Sequence, residues 1–333
     1  MNPIFFPTTI VLVDDNNTFL SNLSLQIDSK WAVRCFNSAT KALAFLNSHD
    51  HNDFFAEGLW SLYPHREDAD YSDHIVNLHL SNLHAMVYDA SRFNCISVLI
   101  VDFDMPHMNG IELCQQINDP HIKKILLTGK ADEHLAVEAF NAKIIDRFIR
   151  KQDHSVISLI HQSLTTLQKE YFDIKVQALK KVLSLGSHLF LNDPVFRIYF
   201  DALTQELNIV EHYITSSPEG ILMLNDVGEH THLVVHTHAS LTAMYEIALD
   251  KNAPQKLLTL LSKGKYLPYF WQSEEGHYDC EIDDWKNFIY PIHTLKGIRD
   301  YFILQVKERF IPKQNNIVSY KSFLEMLDEN PME

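Results

Sequence analysis

Cysteine is scarce in this chain: Cys35, Cys95, Cys114 and Cys280 are the only four in 333 residues, and no two form a CxxC pair. Such spacing supplies neither a disulfide framework nor a thiolate zinc site. Basic residues are also short, 28 Lys+Arg against 43 Asp+Glu, for a formal charge of -15. Sequence-independent nucleic-acid binding needs cations to neutralise phosphates, so this balance disfavours it. No apolar run reaches membrane-spanning length, and the first residues do not form a charged segment followed by a long apolar one. The expectation is a soluble, cytoplasmic protein without membrane association. The chain also lacks a glycine-rich loop ending in Gly-Lys-Ser/Thr, a basic recognition helix, and GGDEF, EAL or GYP stretches. No internal repeat or low-complexity tract is visible.

What is present is an alternation. TTIVLVDDNN reads as a buried strand ending in two carboxylates, and TFLSNLSLQI places Phe19, Leu20, Leu23 and Ile27 at helical spacing. WAVRCF (strand), SATKALAFLNSH (helix), ISVLIVDFD (strand), ELCQQI (helix), IKKILLTG (strand), EHLAVEAF (helix) and IDRFIRK (strand) continue the pattern. Repeated strand-helix alternation predicts an α/β unit, a doubly wound five-stranded parallel sheet covered on both faces. Residues 1–153 are assigned to it. An insertion at 50–94, rich in His, Asp, Asn and aromatics, interrupts the pattern; its second half predicts one amphipathic helix through Ile75, Leu78 and Val87.

Residues 154–213 read as a helical linker. Val156, Leu159, Ile160, Leu164, Leu167, Ile174, Leu179 and Leu183 recur at helical intervals, as one helix or as two broken near Phe172, and a further helix is predicted over Val195–Tyr213. Residues 214–333 form a smaller mixed α+β output domain. SPEGILMLND and HTHLVVHTH predict a hairpin, SLTAMYEIAL and APQKLLTLLSKG helices, and two strands meet near Gly297. The pair SPEGILMLND and DYFILQV superficially resembles strands of a small PAS-like fold. His230, His232, His236 and His238 share parity, a pattern that could ligate a transition metal with His277 or Cys280; the apolar run Leu233–Val235 makes a core strand the stronger reading. Trp271 and Trp285 are expected as buried anchors of the fold, with contacts for a partner as the alternative.

The chemistry concentrates at strand ends. Asp14 and Asp15 close the first strand, Asp102 the third, and Thr128 and Lys151 the fourth and fifth. In an open parallel sheet the carboxyl ends of the strands share one edge, where ligands bind. A carboxylate that attacks a phosphoryl donor faces like-charge repulsion, and a hard divalent cation with oxygen ligands, Mg2+, offsets it. Asp14 and Asp15 offer ligands, and Asp102 both ligand and nucleophile. The Lys151 ammonium can pair with the carboxylate or the phosphoryl oxygens, and the Thr128 hydroxyl can donate to a phosphoryl oxygen.

Over residues 8–153 the chain resembles the receiver domain of two-component response regulators, similar to the chemotaxis receiver. VLVDDN matches the acidic pair, LIVDFDMPHMNGIEL the phosphoacceptor strand with its turn, and LLTG and FIRK the switch and lysine positions. The resemblance implies Asp102 as acceptor, the Asp104 backbone carbonyl as completing the metal shell, and Thr128 and Phe148 as the switch pair. Gln152 stands where the family usually has proline after the lysine, and Gly129 is the smallest form of the position beside Thr128.

Together these readings imply a phosphorylation-controlled switch in a phosphorelay, catalysing only its own phosphorylation and dephosphorylation. The phosphoryl group would come from a histidine kinase or phosphotransfer protein and the signal would leave through contacts with a protein effector or in a homodimer. From Phe196 onward 12 Lys+Arg stand against 20 Asp+Glu, which disfavours direct DNA binding. A divergent nucleotide-acting enzyme and a transcriptional regulator are the alternatives for the output.

Overall fold

The computed structural model describes residues 1–48, 59–63, 75–129, 132–186, 188–270, 276–279, 284–307 and 317–328. In chain order the first part runs β1 (Ile4–Phe5), β2 (Thr9–Val13), α1 (Asn17–Gln26), β3 (Ala32–Phe36), α2 (Ala39–Leu46), β4 (Trp60–Tyr63), β5 (Ile75–Leu78) and α3 (Leu80–Ala85). The middle holds β6 (Ile96–Asp102), α4 (Gly110–Gln116), β7 (Lys123–Thr128), α5 (Glu133–Asn141), β8 (Arg147–Arg150), α6 (Val156–Lys175), α7 (Gln177–Leu183) and α8 (Pro194–Glu206). There follow β9 (Ile209–Ser216), β10 (Glu219–Asn225), β11 (His230–His236), α9 (His238–Asp250), α10 (Gln255–Lys263) and β12 (Tyr266–Pro268). Last come β13 (Ile289–Pro291), β14 (His293–Lys296), β15 (Asp300–Lys307) and α11 (Tyr320–Asp328).

One compact unit takes the described parts of 6–57, 89–177 and 320–333. Its sheet has five parallel strands in the order β3-β2-β6-β7-β8, as the alternation predicts. Side chains alternate across a strand, so each apolar run feeds two cores. Val11, Val13, Leu99, Val101 and Leu126 meet Ala42, Leu113 and Ala139 from α2, α4 and α5. Ile10, Leu12, Val98, Ile100, Ile125 and Leu127 meet Leu20 and Leu23 of α1 and Ile160, Leu164 and Leu167 of α6. The expected linker therefore begins with a helix that belongs to this sheet. α11 joins the same unit: Tyr320 and Phe323 lie 5.1 and 5.2 Å from the Phe93 ring, and the Tyr320 hydroxyl donates to the Lys30 carbonyl.

The other unit takes the described parts of 1–5, 58–88 and 178–319. Its antiparallel sheet runs β1-β9-β10-β11-β15-β14. The predicted hairpin is present, with Gly220 opposite Val234 and Leu224 opposite His230. β15 pairs with β11 and forms a second hairpin with β14. Val234, Leu257, Leu261, Leu267, Phe270 and Leu304 form a core beside α9 and α10. Trp285 packs at its margin, whereas Trp271 and Cys280 lie outside the described residues.

Two local expectations need correction. The helix predicted over Val195–Tyr213 stops at Glu206; Asn208 takes a left-handed φ of 51°, and the β-branched run after it becomes β9. The second half of the insertion is not one helix. Ile75–Leu78 pairs antiparallel with Trp60–Tyr63, and only Leu80–Ala85 is α-helical; the rest of 50–74 outside β4 and its preceding Leu59 is not among the described residues. Of the two readings of the long helix, the broken one holds, with the break at Val176, four residues beyond Phe172. The linear division into 1–153, 154–213 and 214–333 also differs from the compact units, because β1 and the described insertion segments up to Tyr88 join the output sheet's unit, while 89–94 and α11 join the parallel one.

Candidate functional site

Each chemical side chain sits where a ladder ends. Asp14 follows β2, and its N–H still donates to the Phe36 carbonyl of β3. Asp102 is the last residue of β6, with Leu127 of β7 beside it. Lys151 follows β8, and its N–H donates to the Thr128 carbonyl at the end of β7. Parallel register thus brings four sequence-distant residues to one sheet edge.

The turn after Asp102 has its own requirement. A Cβ on Gly110 would lie 2.2 Å from the Asp102 carbonyl oxygen, so only glycine lets α4 start this close. Asn109 caps that helix, accepting from the Glu112 N–H while the Glu112 carboxylate accepts from the Asn109 N–H.

Carboxylate oxygens of Asp14, Asp15 and Asp102 lie within 4.8 Å of one another. Asp14 and Asp102 are buried, 1% and 6% exposed, and Asp15 is exposed. The Lys151 ammonium donates to Asp14 Oδ2 at 2.6 Å and pairs with Asp102 Oδ1 at 2.8 Å. Asp14 Oδ1 accepts from the Asn16 N–H at 2.9 Å. One ammonium faces three carboxylates, so the cluster keeps an excess of negative charge carried by hard oxygen donors. That donor set suits a hard divalent cation, Mg2+ rather than zinc or copper.

Burial raises the Asp102 pKa above the ordinary carboxylate value; Lys151 opposes the shift and the Asp14 charge reinforces it. For Lys151 burial is the largest single influence and disfavours the ammonium. Hydrogen bonds and attraction from Asp102 and Asp14 outweigh it, leaving the amine above its ordinary pKa.

The remaining predicted residues are placed less closely. Thr128 is fully buried, and its hydroxyl donates to the adjacent Gly129 carbonyl at 3.0 Å. Phe148 is half-buried at the edge of the α2–α4–α5 core, its ring 6.3 Å from Phe140 in an edge-on arrangement. The Asp104 side chain is exposed, and its carboxylate is not part of the acidic cluster. Sequence reasoning missed Phe19, which served there only as a helix-stripe residue; its ring centroid lies 4.5 Å from Lys151 Nζ. A hydrophobic residue four positions after an acidic pair is a signal too common to single out.

The histidine parity holds only in part. His230, His232 and His236 lie on β11, and His238 opens α9 after the Thr237 cap. His232 Nε2 is hydrogen-bonded to the Thr215 hydroxyl at 2.9 Å. Among the described residues no histidine belongs to a cluster with metal-ligating geometry.

Comparison with known proteins agrees with this geometry. The family described as the response regulator receiver domain matches residues 72–161. The transcriptional regulatory protein FixJ of Rhizobium meliloti (strain 1021) is 39% identical over 70 residues, 20% of this chain; the match spans about a third (34%) of FixJ. The structure of the Legionella pneumophila response regulator LqsR is similar at 35% identity and a TM-score of 0.76, covering 100% of this chain and 98% of that one. With a receiver sheet, an acidic cluster at its carboxyl edge and likeness to LqsR along the whole chain, this protein belongs to the response regulator family.

Proposed function

We propose that this response regulator is switched by a phosphoryl group accepted on Asp102, and that it relays its state through protein contacts. The observation that carries the reading is the pairing of the buried Asp102 carboxylate with Lys151 beside Asp14 and Asp15. A phosphohistidine on a histidine kinase or phosphotransfer protein is the donor. An Asp102 carboxylate oxygen attacks its phosphorus; a P–O bond forms as the P–N bond breaks, and the imidazole nitrogen keeps the electron pair. Asp14, Asp15 and Asp102, with the Asp104 carbonyl as a further oxygen donor, would hold Mg2+, which would supply positive charge beside the acceptor.

Once the acyl phosphate forms, Lys151 follows the negative charge from the carboxylate to a phosphoryl oxygen. The Thr128 hydroxyl, now spent on its neighbour Gly129, turns to another phosphoryl oxygen. That movement opens space for Phe148 to pack inward, a shift between two populations. Val137 and Phe140 of α5, 40% and 47% exposed, give the adjoining surface apolar contacts for an effector or a second copy of the chain. Water attack on phosphorus returns the carboxylate and inorganic phosphate, which resets the switch.

The test is acyl-phosphate labelling with acetyl phosphate and Mg2+. Wild-type protein is expected to label; Asp102→Asn and chelator-treated wild type are expected not to. Equal labelling of Asp102→Asn would show that another group is the acceptor.

A further inference from the structure

Resting on that reading of the site, we propose that Phe19 is a positioning residue, whose ring holds the Lys151 ammonium between Asp14 and Asp102. Four contacts close on themselves here. Asp14 Oδ2 accepts from Lys151 at 2.6 Å, and Asp14 Oδ1 accepts from the Asn16 N–H at 2.9 Å. The Asn16 side-chain oxygen accepts from the Phe19 N–H at 3.1 Å, at the cap of α1. The Phe19 ring then meets Lys151 Nζ, 4.5 Å from its centroid. One asparagine therefore ties the orientation of the Asp14 carboxylate to the placement of the ring under its cation.

The ring matters because the ammonium has competing partners. A lysine amine is a point charge on a flexible stem with three donors. Asp14, the shorter contact, draws it towards the acidic pair; Asp102, the longer, needs it for the reaction. A ring face attracts the cation and keeps water from that side. With its amide bonded to the α1 cap and its side chain packed against the core that α1 and α6 share with the sheet, Phe19 does not follow the lysine. It holds the charge where both carboxylates reach it, at the margin of the oxygen cluster.

Three variants separate placement from filling: Phe19→Tyr keeps the ring, while Phe19→Leu and Phe19→Met keep an apolar side chain without one. In 1H–13C spectra of lysine-labelled protein, the Lys151 ε-methylene, identified by its absence in Lys151→Met, is expected to be shielded in wild type and Phe19→Tyr. The shielding should vanish in Phe19→Leu. With acetyl phosphate and Mg2+, Phe19→Leu should label about 3- to 10-fold more slowly, the size of a partly desolvated cation–π contact, and Phe19→Tyr near the wild-type rate. Phe19→Met serves in both measurements if the leucine variant does not fold. An unchanged Lys151 resonance, or wild-type labelling without the ring, overturns the proposal. Should wild type itself carry no label on Asp102, the acceptor assignment fails, and the spectra still decide whether Phe19 holds Lys151.

Discussion

Asp102 is a group in conflict with its surroundings, and that conflict has consequences outside the reaction. Its pKa is raised in the folded chain by burial, so the unfolded carboxyl is the stronger acid. A raised carboxyl favours the native state when protonated, and this contribution is lost as pH rises through the folded pKa. At neutral pH the buried charge therefore costs stability, while Lys151 still has Asp14 as a partner. Asp102→Asn removes the charge at constant shape and should raise the urea midpoint, through a gain of roughly 0.5–2 kcal/mol in unfolding free energy, the usual gain on relaxing a functional site. A lower midpoint for the variant would mean that the Lys151 pair outweighs burial.

Two elements carry more than their sequence suggests. The first turn of α4 starts against the Asp102 carbonyl, where a Cβ on Gly110 would lie 2.2 Å from oxygen and 2.9 Å from a Leu126 methyl carbon. Backbone cannot give way there without moving the strand end. Gly110→Ala should destabilise the receiver by roughly 1–3 kcal/mol, as overpacking does, and slow labelling of Asp102 in proportion to the displacement. Unchanged unfolding of that variant would place α4 farther from β6. α11 is the second such element. Phe323 is 5% exposed against Phe93 and Tyr320, so Phe323→Ala should cost roughly 3–5 kcal/mol in chemical denaturation, large for a residue so near the chain end. A change under ~1 kcal/mol would show that the helix does not contribute to the fold's stability.

At the scale of the molecule, the two compact units are interleaved along the chain, which passes between them near 5/6, 57/58, 88/89, 177/178 and 319/320. A fragment ending at 153 loses α6, whose Ile160, Leu164 and Leu167 cover one face of the parallel sheet. The antiparallel unit has its own sensitivity to acid. Burial pushes His232 down to about 3, and His212 and His236 to about 4. Their unfolded values lie near 6.5, so the unfolded chain binds protons first as pH falls. Stability is present above about 6.5 and declines towards 4, by roughly 1.4 kcal/mol per pH unit for each histidine. Denaturant midpoints at pH 7.0 and 5.5 check this: the lower pH should give the lower midpoint, and His212→Gln should flatten the difference. Equal midpoints would place these rings in contact with water.

Much was legible before any coordinates. Five apolar runs, four of them closed by polar residues of defined chemistry, imposed the parallel sheet and brought Asp14, Asp15, Asp102, Thr128 and Lys151 towards one edge, because period-two alternation and strand polarity are local properties. The contact of Phe19 with Lys151 was not legible, since it depends on where two side chains 132 positions apart meet across a turn. Nor was the fate of Ile209–Ser216, Ile75–Leu78 and Ile4–Phe5. Short apolar segments satisfy their backbone groups equally well in a helix or on a sheet edge, and only neighbouring strands select between the two. Membership of α11 and β1 in their units likewise follows from long-range burial, which no window along the chain contains.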